Sequence, residues 1–161
     1  MSYERVKEFF DQNGMEGRVT LQAHITDTVE HAAQQIGCEP AQIAKTMSFL
    51  TKEGPVLIVM AGDAKIQNAK YKAFFGQKAS MIHGEEVEAL IGHEPGGVCP
   101  FAVKEGVRVF LDVSLKRFTE VHAAAGSPQA TIRLTIPELE RYAGNPQWID
   151  VCKDWEGCPQ Q

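Results

Sequence analysis

The chain lacks most of what marks a common enzyme class. It has no GxGxxG, no P-loop, no HExxH and no GxSxG. Their absence removes the commonest dinucleotide, nucleoside triphosphate, metalloprotease and α/β-hydrolase readings. Its four cysteines, Cys38, Cys99, Cys152 and Cys158, form no CxxC pair, and no histidine stands near the last two. No usual zinc spacing is therefore present, and reduced thiols are the default for a cytosolic protein. The five histidines, His24, His31, His83, His93 and His122, are scattered one to a segment. Such scatter suits surface and turn positions better than a metal site. Long apolar runs are also missing. The longest, PVLIVMAG at 55–62, is far too short to cross a bilayer, and MSYERVKEFFDQNG has no signal-peptide core. Excess positive charge is absent too. The net charge of −5 makes the protein no general polyanion binder, so any nucleic-acid contact needs a local basic face. A soluble, cytoplasmic protein with no membrane contact is expected.

What is present is one domain's worth of chain, 161 residues at 43% hydrophobic content. Residues 1–161 are expected to form that domain, with the tail 152–161 (CKDWEGCPQQ) loose. Tyr3–Asn13 reads as an amphipathic helix closed by Gly14, and Arg18–Ala23 as a strand. Asp27 and Glu30 have capping-box spacing before a helix that runs to about Ile36 and stops at Gly37. Pro40 opens a short helical turn. Lys45–Thr51 and Pro55–Ala61 read as a hairpin across Lys52-Glu53-Gly54. Helices follow at Gln67–Phe75 and Glu85–Ile91, closed by Gly76 and Gly92, with a short strand at Lys78–Ile82 between them. Strands at Val107–Asp112, Glu120–Ala124 and Ala130–Leu134, a helix at Pro137–Tyr142 and a last strand at Trp148–Val151 complete the chain. The hairpins favour an antiparallel or mixed sheet with helices outside.

Between Gly92 and Phe101 lies GHEPGGVCPF. Cys99 and His93 are six residues apart and could form a nucleophile and its base. The plainer reading, a small buried thiol under a turn, is favoured. Gly96 and Gly97 permit positive φ and leave amides free to face a carbonyl or oxyanion, which Pro95 and Pro100 would stiffen. An ordinary long turn fits equally well. Lys45, at the mouth of strand KTMSFL, suits a phosphate or an ester, or plain solvation. Asp112 suits a cap over Ser114–Arg117. Lys65, Lys70, Lys72 and Lys78 lie in a segment without acidic residues, either a solvated helix face or a local polyanion patch.

Five stretches in order, AKTMSFL (44–50), VMAGDAKI (59–66), EEVEALIGHEPGGVCPF (85–101), VFLDVSL (109–115) and AAAGSPQATIRL (123–134), resemble the YbaK/ProX family of aminoacyl-tRNA deacylases. These are free-standing relatives of the editing domain of bacterial prolyl-tRNA synthetases. The resemblance covers roughly residues 20–150, and no single stretch would carry it. It implies an α+β fold with a mixed, mostly antiparallel, barrel-like sheet flanked by helices. It implies hydrolysis of the ester between a wrong amino acid and a tRNA 3′ end, with no metal or other cofactor. Aminoacyl-tRNA is then the partner, and an aminoacyl-tRNA synthetase a further candidate.

By the same resemblance, Lys45 and the amides of Gly96, Gly97 and Val98 carry catalysis. Thr46, Cys99, Pro100, Gly126, Ser127 and Thr131 contact the substrate, with Cys99 shaping the pocket and not attacking. Apart from the resemblance, if the lysine segment is a polyanion patch, Lys65, Lys70 and Lys72 are its expected tRNA contacts. Water attacks with help from the free ribose hydroxyl, since no side chain is an obvious general base. Relatives that clear cysteine look as if they carry an acidic residue where this chain has Thr131, which puts cysteine specificity in doubt and makes alanine, serine, threonine or a non-protein analogue an equal candidate. A non-catalytic binding module of the same fold, and a hydrolase using Cys99 as nucleophile, are the competing readings.

Overall fold

The computed structural model describes residues 2–26 and 28–155. Helix α1 (Ser2–Gln12) buries Val6 and Phe10 on one face. Strand β1 (Val19–Leu21) is shorter than the alternating run around it suggested. Helix α2 (Val29–Ile36) is capped by Thr28, whose hydroxyl accepts from the His31 N–H, and ends at Gly37. The helix thus starts one residue later than its capping-box spacing implied, and Asp27 lies outside the described residues. A 3-10 turn at Pro40–Gln42 leads into the hairpin β2 (Ile43–Thr51) and β3 (Gly54–Ala61).

Then come β4 (Lys65–Ile66), α3 (Asn68–Phe75), α4 (Gly84–Ile91), β5 (Arg108–Asp112) and a 3-10 turn at Val113–Arg117. β6 (Glu120–Ala124), β7 (Ala130–Thr135), α5 (Ile136–Tyr142), β8 (Gln147–Ile149) and β9 (Cys152–Lys153) follow. The main sheet has the order β1-β7-β6-β2-β3-β5-β8, and β4 pairs with β9 separately. The sheet is mixed. β1/β7, β6/β7 and β2/β3 run antiparallel, whereas β2/β6, β3/β5 and β5/β8 run parallel.

β3 explains the longest apolar run. It lies between β2 and β5, and Val56 to Ala61 are all inaccessible to solvent. A strand covered on both faces needs no polar alternation. Against this sheet α1 inserts Phe10, whose ring meets Phe101 edge-on at 4.9 Å and Tyr142 at 5.5 Å.

Two expectations change. Lys78–Ile82 forms no strand, only an isolated bridge from Met81 to Phe49. There Leu50 N–H donates to the Ser80 carbonyl and Ile82 N–H to that of Ser48. The segment meets β2 only at the end that β6 does not occupy. The tail is not loose from residue 152. Ile66 and Cys152 are register partners, Gln67 N–H donates to the Val151 carbonyl, and Cys152 is buried. A two-residue ladder is too short to leave a period in the sequence. Residues 156–161, with Cys158, lie outside the described part.

The carboxylate of Asp112, fully buried, accepts from Ser114 N–H and from Val151 N–H, both at 2.9 Å. The capping role expected of it is met, and it also ties down the chain beyond β8. Arg117 grips both carboxylate oxygens of Asp63 and donates to the carbonyls of Ser114 and Trp155. The loop after β3, the 3-10 turn and the end of the described chain therefore meet on one guanidinium. Removing the α1 anchor tests the packing directly. Phe10→Ala is expected to cost about 3–5 kcal/mol of stability, read as a lower urea midpoint with an unchanged m-value.

Candidate active site

β2 and β6 pair through only two register partners, Ile43↔His122 and Ala44↔Ala123. Beyond them the strands part. The far end of the same β2 edge is taken by residues 80–82, so residues 45–47 face a gap. The peptide groups of Ser48 and Leu50 point outward to that segment, and every second residue of a strand points the same way. The N–H and C=O of Thr46 therefore face the gap as well. A cavity of about 380 Å³ occupies it, with Lys45, Thr46 and Met47 on the β2 wall and His122 to Ala124 on the β6 wall. Val29, Ala32 and Ile36 of α2 cover it, Gly96 and Val98 close one side, and Thr26 and Thr131 add hydroxyls.

The glycine pair has two separate jobs. Gly97 N–H donates to the Glu94 carbonyl at 3.0 Å, closing a turn with Pro95 second and Gly96 third at φ +87°. Proline there and positive φ after it are the signature of a type II turn. Gly97 is required for a different reason. A Cβ on it would lie 2.4 Å from Ser127 N and 2.6 Å from the carbonyl carbon of Gly126. The loop and the Gly126-Ser127 turn touch backbone to backbone, joined by Gly126 N–H to the Gly97 carbonyl at 3.2 Å. Both main-chain groups of Gly97 are thus committed to the fold. Its amide is not free for a ligand, which corrects the three-amide cradle expected from the sequence. The N–H groups of Gly96 and Val98 have no acceptor among the described residues.

Lys45 is half-buried, and its ammonium donates to the Gly62 carbonyl at 3.4 Å. Gly62 precedes the Asp63 held by Arg117, so the acceptor stands on an anchored loop. Burial pushes the Lys45 pKa down. Cys152, Asp63 and Glu30 counter this in part, and the charge of Lys65 adds to it.

Cys99 and His93 do meet, with Sγ 3.5 Å from Nε2, but not as a catalytic pair. His93 Nε2 lies 2.7 Å from the Phe101 carbonyl, which only accepts, so Nε2 carries the proton and Nδ1 accepts from the Ser2 hydroxyl. No lone pair remains to take a proton from the thiol. Burial pushes Cys99 up to about 12, and burial likewise holds His93 below its usual value. Cys99 packs in the main core and is not part of the cavity wall. This geometry opposes the nucleophile reading and corrects the expectation that Cys99 contacts substrate.

The other expected residues divide. Thr46 and Thr131 are on the wall, and the Thr131 hydroxyl accepts from Gln22 Nε2 at 2.9 Å. Pro100, Gly126 and Ser127 stand outside the lining, and Gly126 and Ser127 support the loop from behind. Lys65, Lys70 and Lys72 are outside it too. Lys70 pairs with Asp150 at 3.0 Å, while Lys65 stands exposed opposite Lys153 in the β4/β9 ladder. Sequence reasoning missed Gly62, Thr26, the α2 face and His122. His122 is half-buried, with its pKa lowered by burial and by Arg133. The alternating β6 segment marked it as a strand residue, but nothing local marked its side as a cavity.

Comparison with known proteins gives one consistent answer. The aminoacyl-tRNA editing domain family matches over residues 24–142. An uncharacterized Bacillus subtilis protein, YwhH, is 47% identical over 97% of this chain and 100% of its own. EbsC of Enterococcus faecalis, described as a candidate Cys-tRNA(Pro)/Cys-tRNA(Cys) deacylase, is 28% identical over 77% of this chain and 76% of its own. A crystal structure described as a candidate trans-editing enzyme for prolyl tRNA synthetase superposes with a TM-score of 0.84 at 31% identity, covering 94% of this chain and 97% of that one.

The thiol geometry has a direct check. Iodoacetamide applied to the native protein at about pH 8 should leave Cys99 unmodified and, among the cysteines of the described residues, alkylate the half-exposed Cys38 first. Peptide mass spectrometry reads the result, and rapid labelling of Cys99 would overturn the arrangement.

Proposed function

The chain belongs to the aminoacyl-tRNA editing domain family, and on that premise we propose that it is a trans-editing hydrolase, removing a wrongly attached small amino acid from tRNA. The observation that carries this reading is one cavity with a lysine ammonium on one wall and two uncommitted loop amides on another. An ester carbonyl lying between them would meet donors where its oxygen gains charge. The N–H groups of Gly96 and Val98 hold that oxygen. Lys45 adds positive charge to the same site or orients the terminal ribose. Thr46 presents its carbonyl to the α-ammonium of the amino acid and its N–H to a substrate oxygen. Water adds to the carbonyl carbon, the carbon–oxygen bond to the ribose breaks, and the ribose hydroxyl and a free amino acid leave. The vicinal ribose hydroxyl is the candidate relay for the water's proton.

Substrate selection rests on volume. Ala32, Val29 and Ile36 leave room for a short side chain, and a hydrophobic wall discriminates by only about 1–3 kcal/mol per methylene. Thr131 offers a neutral hydroxyl, already accepting from Gln22, and no carboxylate. That supports alanine, serine, threonine or a non-protein analogue alongside cysteine.

The polynucleotide must find positive charge on an acidic body. Lys65 and Lys153 are both exposed and are register partners. Like charges directly opposite one another repel, and a phosphate between them would relieve that. The charge of Lys65 helps to lower the Lys45 pKa, so Lys65 stands on a basic approach to the cavity. Lys70 and Lys72 extend it along α3. No helix among the described residues is long and apolar enough to cross a membrane, and a cytoplasmic site of action follows from the substrate.

A panel of misacylated tRNAs tests the reading. Release of at least one small amino acid well above the buffer rate is expected, with the larger residues spared. If no member of the panel is deacylated, the hydrolase reading is wrong. Lys45→Ala should lower kcat by about a hundredfold while the thermal midpoint stays near that of the parent protein. Unchanged turnover would remove Lys45 from the site.

A further inference from the structure

The loop that carries Gly96 and Val98 is held from behind by helix α1, which lies outside the segment matching the editing family. Three contacts make the connection. The Ser2 hydroxyl donates to His93 Nδ1. The Arg5 guanidinium donates to the carbonyls of Gly92 and Ala102, on either side of the loop. The Ser2 carbonyl presses on Gly126, where a Cβ would come within 2.8 Å of it. Gly126 in turn bonds Gly97.

His93 is fully buried, and both its ring nitrogens are used. One end reaches α1 and the other spans the loop to the Phe101 carbonyl. The imidazole therefore works as a strut between the first turn of α1 and the far end of GHEPGGVCPF. It has no contact with the cavity. Burying a polar ring is costly unless both nitrogens are satisfied, and an apolar side chain would fill the same space without that demand. What imidazole adds is direction. It fixes residue 93 relative to residue 101, and so fixes the turn between them.

We propose that Ser2 and His93 are positioning residues for the Gly96 and Val98 amides, so that α1 sets the geometry of the site without touching substrate. The catalytic part of this inference rests on the hydrolase reading above. Displacement of a donor by a fraction of an ångström lowers turnover with little effect on binding held elsewhere. Ser2→Ala removes one hydrogen bond at the start of α1. His93→Leu removes both and keeps a packed side chain. His93→Gln restores an acceptor and a donor on one side chain.

Two measurements on the full chain decide it. Amide hydrogen exchange should speed up in residues 94–101 of His93→Leu, and less so in Ser2→Ala, with the β3 core still protected. In deacylation, Ser2→Ala should lower kcat several-fold and His93→Leu by about tenfold or more, each with KM within about twofold. His93→Gln should recover most of the lost kcat. Unchanged loop exchange in His93→Leu overturns the strut, whatever the activity. Faster loop exchange with parental kcat in a folded variant overturns the positioning role. A parent protein inactive on every charged tRNA would instead sink the hydrolase reading, and the exchange measurement would still decide the strut.

Discussion

The outer edge of β2 serves two partners and leaves three residues to neither. β6 takes residues 43–44 and the chain around Ser80 takes the stretch from Ser48 to Leu50. Everything at the site follows from that division. The gap exposes the main chain of Thr46 and sets Lys45 at its mouth. It gives α2 something to cover and the 92–101 loop something to close. Eight register partners to β3 hold the opposite edge, so the register is not free to slip. A slip of one residue would exchange the two faces of the strand and turn Thr46's peptide groups back into the sheet.

Much of this was legible in the sequence, and the reason is local. Gly37, Gly76 and Gly92 end helices where the apolar period stops. PVLIVMA is a central strand because nothing polar interrupts it. The Asp112 cap lies two residues from its donor. What was not legible depends on chain segments far apart. Gly96 and Gly97 look equivalent in sequence, yet one satisfies a turn and the other a backbone contact with residues 126–127. His93 and Cys99 look like a catalytic pair because sequence shows their spacing and not Ser2 or the Phe101 carbonyl. The β4/β9 ladder joins residues that no window spans. The resemblance to an editing family drew attention to Lys45, Thr46 and Gly96, which line one cavity, and it named Gly97 for catalysis and Cys99 as a substrate contact where the fold uses them for support.

The cavity also separates two kinds of polar group. Those on its walls are only partly satisfied: the Lys45 ammonium has one long contact, and the Gly96 and Val98 amides have none among the described residues. Several behind the walls are held by partners, as with Asp112, Arg117 and His93. A buried group without a partner is expensive. The Lys45, Gly96 and Val98 donors stand on the cavity lining, where a ligand or water reaches them, and the partnered groups behind hold them in place.

The β2–β6 pairing has a consequence for the growing chain. Ile43 and His122 are about eighty positions apart, so this contact is among the slow, non-local ones. During synthesis β2 and β3 emerge long before β6, so a hairpin formed by then would keep its β2 edge bare. A bare edge next to PVLIVMA invites pairing with another nascent chain. Lys45 sits on that strand, and a charge there discourages such pairing. One lysine would then guard the unfinished sheet before it serves the finished cavity.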